Sequence, residues 1–337
     1  MTGRTQTGVA LISVLLVFAI ITILASQLIT RTQMDIERTR WLVTEAQAYQ
    51  YALGGEAIAR QLIYTGQEAL KAEGHDVSFV PKTLTAFQPD YGKIAVEIVD
   101  EQGLLNINNI NGNTEHRQIL SRFFANILQK PELSSYLSDW VDTDSSPQPG
   151  GAEDFSYFSH EPPYRTANRP VSELSELMAL PEVVNKEYEA ASSLLSALPE
   201  ATSININTAP EEILSAIHPE LSGSQIINYR EQSPPGFAST ESFLASDITA
   251  GLSIENAPIT VKSTYFSAKV RANVNDRVIW LRSQFVFDHE SMKISLIERS
   301  LTPHFSINIL ESTDITGTTD SLGSTNDQDK NLANTHL

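Results

Sequence analysis

Hydrophobic positions in this chain change their spacing along its length, and each spacing marks a different kind of element. From Val9 to Ala25 they are nearly unbroken, and no charged residue stands between Arg4 and Arg31. About twenty mostly apolar residues carry a helix across a bilayer core, so this run is long enough to span one. From Thr32 to Ile63 there is no proline, and Leu42, Ala46, Tyr49, Leu53 and Ala57 recur at intervals of three and four, the mark of one apolar stripe on a helix. Gly54-Gly55 is its one weak point. Together the two stretches predict a continuous helix from Val9 to Ile63, roughly 80 Å long at 1.5 Å per residue. Its first half lies in lipid and its second half packs on a domain.

Beyond the helix the spacing turns to that of strands. Ile94–Val99 and Gly103–Asn108, joined by the turn Asp100-Glu-Gln-Gly103, predict a hairpin. Tyr265–Val274, Val278–Phe287 and Lys293–Ile297, separated by Asn275-Asp276 and Asp288-His-Glu290, predict an antiparallel meander. The pattern between these regions is helical and rich in loops. The expected fold class is therefore α+β, with a sheet against the long helix and an α-helical insertion between early and late strands. The expected divisions are a leader over 1–8, the apolar segment and extended helix over 9–64, sheet over 65–113, the insertion over 114–257, sheet again over 258–310, and a disordered polar tail over 311–337.

Charge narrows the partners. With 41 acidic against 23 basic residues the net charge is −18, which repels nucleic acid and anionic headgroups but suits a divalent cation. There is no cysteine, which removes disulfides, thiolate metal sites and a cysteine nucleophile. The seven histidines lack H-E-x-x-H spacing, and neither a G-x-S-x-G elbow nor a P-loop is present, so no enzyme is expected. A cleavable signal peptide would need a small-x-small site after the apolar core, and Ala25-Ser26-Gln27 is a poor one. Arg31, Arg38 and Arg40 follow the span and only Arg4 precedes it. Counting Lys and Arg alone therefore places the C-terminal side in the cytoplasm.

Two constellations stand in the insertion. The first is Asp139-Trp-Val-Asp142-Thr-Asp144, then Pro147, Pro149 and a glycine pair, then Glu153-Asp154. Carboxylates at both ends of a loop supply the hard, flexible oxygens that Ca²⁺ takes; they also suit helix capping on a solvated acidic loop. An EF-hand match fails at Pro147 and at the missing twelfth-position Glu. The second is Ser203-Ile-Asn-Ile-Asn207-Thr-Ala-Pro210-Glu211, a helix start with Thr208 as expected N-cap, followed by Ile226-Ile-Asn-Tyr229-Arg230. It resembles helix-hairpin-helix (SAM-like) modules, some of which bind DNA, and so opens the alternative of a membrane-anchored DNA-uptake protein. Against it, Arg230 is the one basic residue from Ser203 to Ala250, beside six acidic ones, and phosphate contact needs positive charge.

Gly8 followed by Val-Ala-Leu-Ile-Ser-Val-Leu-Leu resembles the class III leader of type IV pilins and pseudopilins. The resemblance implies that a prepilin peptidase cuts between Gly8 and Val9 and methylates the new N-terminus. It also implies an inner-membrane anchor with the globular part in the periplasm, opposite to the Lys and Arg count. Most members carry Glu at the fifth mature position, where it neutralises the buried N-terminal amine of the subunit above. Ser13 stands there in this chain, which implies a place only at the top of a fibre. Leader, Ser13, the acidic loop with Pro162-Pro-Tyr164-Arg165-Thr166-Ala-Asn168-Arg-Pro170 and Ser175-Glu176-Leu177, and Ile204-Asn-Ile-Asn207-Thr-Ala-Pro210 together resemble the minor pseudopilins called general secretion pathway protein K. That family implies a structural role in type II secretion, capping and initiating the pseudopilus beside the minor pseudopilins I and J, for export of folded proteins across the outer membrane. It also implies a Ca²⁺ site, for which the candidates are Asp142, Asp144, Glu153 and Asp154, with Asp139 in reserve.

Overall fold

The computed structural model describes residues 6–78, 85–89 and 91–301, with side chains from Ala10 onward save that of Thr85. The start of the leader and the expected tail from 311 lie outside the described residues. Helix α1 runs unbroken over Gln6–Ala72, 67 residues or about 100 Å. It ends at Gly74, whose φ of 81° costs a side-chain-bearing residue strain, and the His75 N–H returns to Leu70 O at 2.9 Å. Residues 10–43 are exposed, and the window that qualifies α1 as a span has a mean hydropathy of 2.6 with none of it buried.

The buried face of α1 is not the stripe expected from Leu42, Ala46, Tyr49, Leu53 and Ala57. Leu42, Ala46 and Ala57 are exposed, and Tyr49 and Leu53 are half-buried. Thr44, Ala48, Ala52, Gly55, Glu56, Ala59 and Ile63 face the sheet instead. Small side chains win that face because the helix lies close on the strands. A Cβ on Gly55 would sit 2.5 Å from Val270 Cγ1, 3.1 Å from Ile94 Cγ2 and 3.2 Å from Val96 Cγ2.

The sheet is built from β1 (Thr85–Phe87), β2 (Gly92–Asp100) and, far along the chain, β7 (Tyr265–Val274), β8 (Arg277–Asp288) and β9 (Lys293–Ser300). Its order is β1-β2-β7-β8-β9, antiparallel at every pairing, so the expected meander forms. Ile94, Val96, Ile98, Phe266, Val270, Leu281 and Phe285 pack on Ala52, Ala59 and Ile63 of α1. Glu56 is a buried carboxylate on this helix face. It accepts from Ser283 Oγ at 2.7 Å and from Arg299 Nε and Nη2 at 2.6 and 2.8 Å, with Arg60 at 3.4 Å. Burial raises its pKa, but the bonds from Arg299 and Ser283 and the charges of Arg299 and Arg60 outweigh it and hold the carboxyl below 4.5. Its contribution to stability is thus present above pH 4.5 and is lost as the pH falls through the depressed value.

The expected hairpin after β2 does not form. β3 (Leu105–Asn106) leaves the sheet and pairs in parallel with β4 (Leu195–Ser196). The reason lies in the turn, which is buried rather than exposed. Glu101 holds Arg282 at 2.8 Å, and Gln102 Oε1 accepts from Thr264 N at 2.6 Å. The apolar residues that follow, Leu105, Ile107 and Ile110, enter a second core.

That core belongs to the helical region, comprising α2 (Thr114–Leu128), α3 (Leu133–Val141), α4 (Asp154–Tyr157), α5 (Asn185–Ser192), α6 (Glu211–Ile217), α7 (Gly223–Gln232) and α8 (Thr240–Leu244). A parallel pair, β5 (Ile204–Asn205) with β6 (Ile259–Thr260), returns the chain to the sheet. Phe123, Phe124, Leu137, Ile213, Leu214, Phe237 and Phe243 fill its centre.

The joint between the two bodies is Asp100, at the end of β2. Its Oδ1 accepts from Gln102 N at 3.0 Å. Its Oδ2 accepts from Thr208 Oγ at 2.6 Å, Ser263 Oγ at 2.7 Å and Asn205 Nδ2 at 3.0 Å. Burial pushes the carboxyl up, against the pull of these four bonds. Thr208 is therefore not the N-cap expected of it: its hydroxyl goes to Asp100, and Pro210 precedes α6.

The two adjacent glycines of α1 separate propensity from packing. Gly54 has open space around its Cβ position, so Gly54→Ala should stabilise the full chain in detergent by about 0.5–1 kcal/mol. Gly55→Val should destabilise it by about 1–3 kcal/mol through overpacking against Val270, measured as the shift in denaturation midpoint.

Candidate metal centre

The acidic loop joins α3 to α4, and both helices are fixed by apolar anchors. Leu133, Leu137, Trp140 and Val141 bury one face of α3, and Tyr157 buries the end of α4. Asp142 is the first residue past α3, extended at φ −75° and ψ 170°, and Glu153 is the N-cap of α4, extended at φ −109° and ψ 178°. The chain thus leaves one helix and enters the next with a carboxylate at each junction.

Asp142, Asp144 and Glu153 come together, with one oxygen from each lying within 4.8 Å of the others. Asp142 is half-buried, Asp144 exposed and Glu153 only 7% exposed. One oxygen of Asp144 accepts from Ser146 N at 2.7 Å. Asp142 Oδ1 and Glu153 Oε1 are buried and have no hydrogen-bond partner among the described residues. Buried acceptor-only oxygens without donors are costly. Oxygens gathered this closely match the 2.3–2.6 Å bonds and irregular shell of Ca²⁺, so the residues present fit such an ion.

Asp154 does not join them. Its Oδ1 accepts from Thr166 N at 3.0 Å and Thr166 Oγ at 2.9 Å, and its Oδ2 lies 3.9 Å from Arg165 Nε, so it staples the following loop. Asp139, the reserve, is fully buried and turns both oxygens to Gln148 N, at 3.0 and 3.1 Å. Its carboxylate occupies the room that a Cβ on Gly151 would take. Asp139 therefore closes the loop from beneath instead of lining it.

The carboxylates of the loop also repel one another. Burial raises the carboxyl of Asp139, and the charges of Asp142 and Asp144 add to it, against hydrogen bonds from the loop backbone. Burial and then Asp144 raise Asp142. Burial, Asp139, Asp142 and Asp144 raise Glu153. Such mutual repulsion is what a divalent cation relieves.

The other sequence candidates are placed as follows. Gly8 and Val9 lie within the backbone of α1, and Ser13 lies on its exposed apolar segment. Arg230 donates to Ile206 O at 3.2 Å and Ala209 O at 2.7 Å, so the single basic residue of the α6–α7 hairpin serves the hairpin itself. Sequence reasoning missed the aromatic floor of the acidic loop. Tyr157 is edge-on to Trp140 at 5.5 Å and packs against Tyr164 at 5.2 Å. The regular apolar spacing of α3 does not reach α4, a single turn too short to carry a pattern.

Two family models described as type II secretion system (T2SS), protein K, match residues 103–200 and 204–262. The Type II secretion system protein K of Pseudomonas aeruginosa is 33% identical over 293 residues, covering 81% of this chain and 86% of that protein. Its counterpart in Pectobacterium carotovorum subsp. carotovorum is 29% identical over 325 residues, covering 90% and 98%. That of Klebsiella pneumoniae is 30% identical over 260 residues, covering 71% and 79%. The fold is similar to a chain in the crystal structure of the GspK-GspI-GspJ complex from the enterotoxigenic Escherichia coli type 2 secretion system. The TM-score is 0.67 at 23% identity, over 79% of this chain and all of that one.

The loop's closure is testable apart from any ion. Asp139→Ala leaves the Gln148 N–H without its acceptor, and should cost about 1–3 kcal/mol and open the 142–153 loop to limited proteolysis in chelator. Asp154→Ala should leave that loop resistant.

Proposed function

The chain belongs to the protein K family of type II secretion systems, whose members are minor pseudopilins, and on that premise we propose that it caps the pseudopilus tip and initiates its assembly. The single long apolar stretch of α1 fits a single-pass membrane anchor. In the proposed role a prepilin peptidase cuts between Gly8 and Val9 and methylates the new amine. The helix then holds the chain in the inner membrane with its globular part in the periplasm, and the pseudopilus serves export of folded proteins across the outer membrane. The role is structural, not enzymatic.

Ser13 is the observation that carries the tip position. A free amine in the bilayer needs a counter-charge from the subunit below, and the subunit that supplies it does so with a carboxylate at the fifth mature position. Ser13 has none to offer, so no subunit above is served by this chain. A solved complex from enterotoxigenic Escherichia coli joins GspK to GspI and GspJ, which supports the corresponding minor pseudopilins I and J as partners here. The DNA-uptake alternative finds no free cation on its hairpin, where Arg230 is bonded to backbone carbonyls.

We also propose that the centre holds Ca²⁺. Asp142, Asp144 and Glu153 would bind it, and Asp139 keeps the loop in the closed form that brings them together. The ion supplies charge neutralisation, not chemistry. Its role is to make the α3–α4 loop a rigid part of the helical region.

Tip capping predicts a fixed copy number. When the major pseudopilin is overproduced and fibres lengthen, quantitative mass spectrometry of sheared fibres should find this chain constant per fibre while the major subunit rises. An amount that grows in proportion to fibre length would place it in the shaft and refute the reading.

A further inference from the structure

Glu153 is the extended N-cap of α4, and Tyr157, four residues on, ends it. Both are buried, and each ends in a polar atom that lacks a partner among the described residues. Glu153 Oε1 and the Tyr157 hydroxyl are buried without a hydrogen bond among the described residues. Tyr157 is 0% exposed, and its ring is held by Trp140 at 5.5 Å, Tyr164 at 5.2 Å and His160 at 6.2 Å. The hydroxyl therefore has no route to solvent. Burial, then Tyr164, then the charges of Asp139 and Glu153 push its ionisation far above the ordinary phenol range, so it is a proton donor at neutral pH.

A buried donor and a buried acceptor, each unused and with the acceptor's charge felt at the donor, cost a fold stability unless something joins them. A bound cation brings an ordered shell of oxygens, and groups just outside such a shell commonly orient it. We propose that Tyr157 is a positioning residue of the metal centre, its hydroxyl donating to an oxygen of the shell around a divalent cation held by Asp142, Asp144 and Glu153. This rests on the Ca²⁺ reading of the same loop. It adds a neutral donor, supplied from the aromatic floor between α3 and α4, that links metal binding to the core. Occupancy of the loop and packing of the helical region become one event, because the phenol is satisfied only with the cation in place.

The test is Tyr157→Phe in the full chain in detergent, followed by calorimetric Ca²⁺ titration and by thermal midpoints in chelator and in Ca²⁺. Tyr164→Phe is the control, since that hydroxyl already donates to Ala179 O at 2.7 Å. The expected result for Tyr157→Phe is a midpoint in chelator at or above wild type, with Ca²⁺ affinity weakened about tenfold. Tyr164→Phe should lower both midpoints alike and leave affinity unchanged. Ca²⁺ binding by Tyr157→Phe as tight as by wild type overturns the inference while leaving the metal centre standing. A wild-type chain that binds no Ca²⁺ overturns both.

Discussion

One buried carboxylate lies at the centre of the joint between the sheet and the helical region. Asp100 closes the second strand of a pilin-like sheet, yet three of its four hydrogen bonds come from residues more than a hundred positions away. Thr208 and Asn205 belong to the segment that leads into α6, and Ser263 to the segment that leads back into β7. The chain's exit from the sheet, its passage through the helical region and its return are thus tied at one point. Burying a carboxylate is tolerable there because every lone pair it offers along Oδ2 meets a short-chain donor. Glu101 and Gln102 extend the same joint to Arg282 and Thr264, which explains why a turn of polar residues lies inside the protein.

On either side of that joint the two bodies follow different physics. The sheet packs on α1 by close approach of small residues, with the buried Glu56 carboxylate, bonded to Ser283 and to the exposed Arg299, fixing the helix against β8 and β9. In the helical region short helices and loops bury large aromatic residues, and the loop between α3 and α4 concentrates negative charge over them. For the proposed tip subunit this division is useful. A long helix continuous with the sheet gives the part that joins a fibre, while the helical region is carried rigidly on Asp100 and stiffened, in the proposed centre, by an ion.

Much of this was legible in the sequence wherever a spacing repeats over many residues. The unbroken run after Gly8, the three late strands and the helical character of the middle all come from regular patterns in single elements. The failures share one cause: contacts between distant segments. The buried face of α1 differs from the expected stripe because Ala52 and Gly55 lie close on the sheet, Gly55 directly against Val270, where small size decides and not hydrophobicity. The hairpin after Asp100 was misread because its turn residues find partners at 203, 264 and 282. Thr208 looked like a cap until Asp100 took its hydroxyl. At the centre, the sequence offers Asp142, Asp144, Glu153 and Asp154 alike, with Asp139 in reserve; the first three lie together, while Asp154 and Asp139 are engaged by Thr166 and Gln148.

The most direct test of the account is scanning calorimetry of the full chain with Asp100→Ala. Each buried donor left unpaired costs about 1–3 kcal/mol, and four of them face this carboxylate. Wild type should melt as one cooperative unit, and Asp100→Ala should split that transition into separate sheet and helical-region steps, at least one at a markedly lower temperature. A single transition at the wild-type midpoint would contradict the claim that this one carboxylate joins the two.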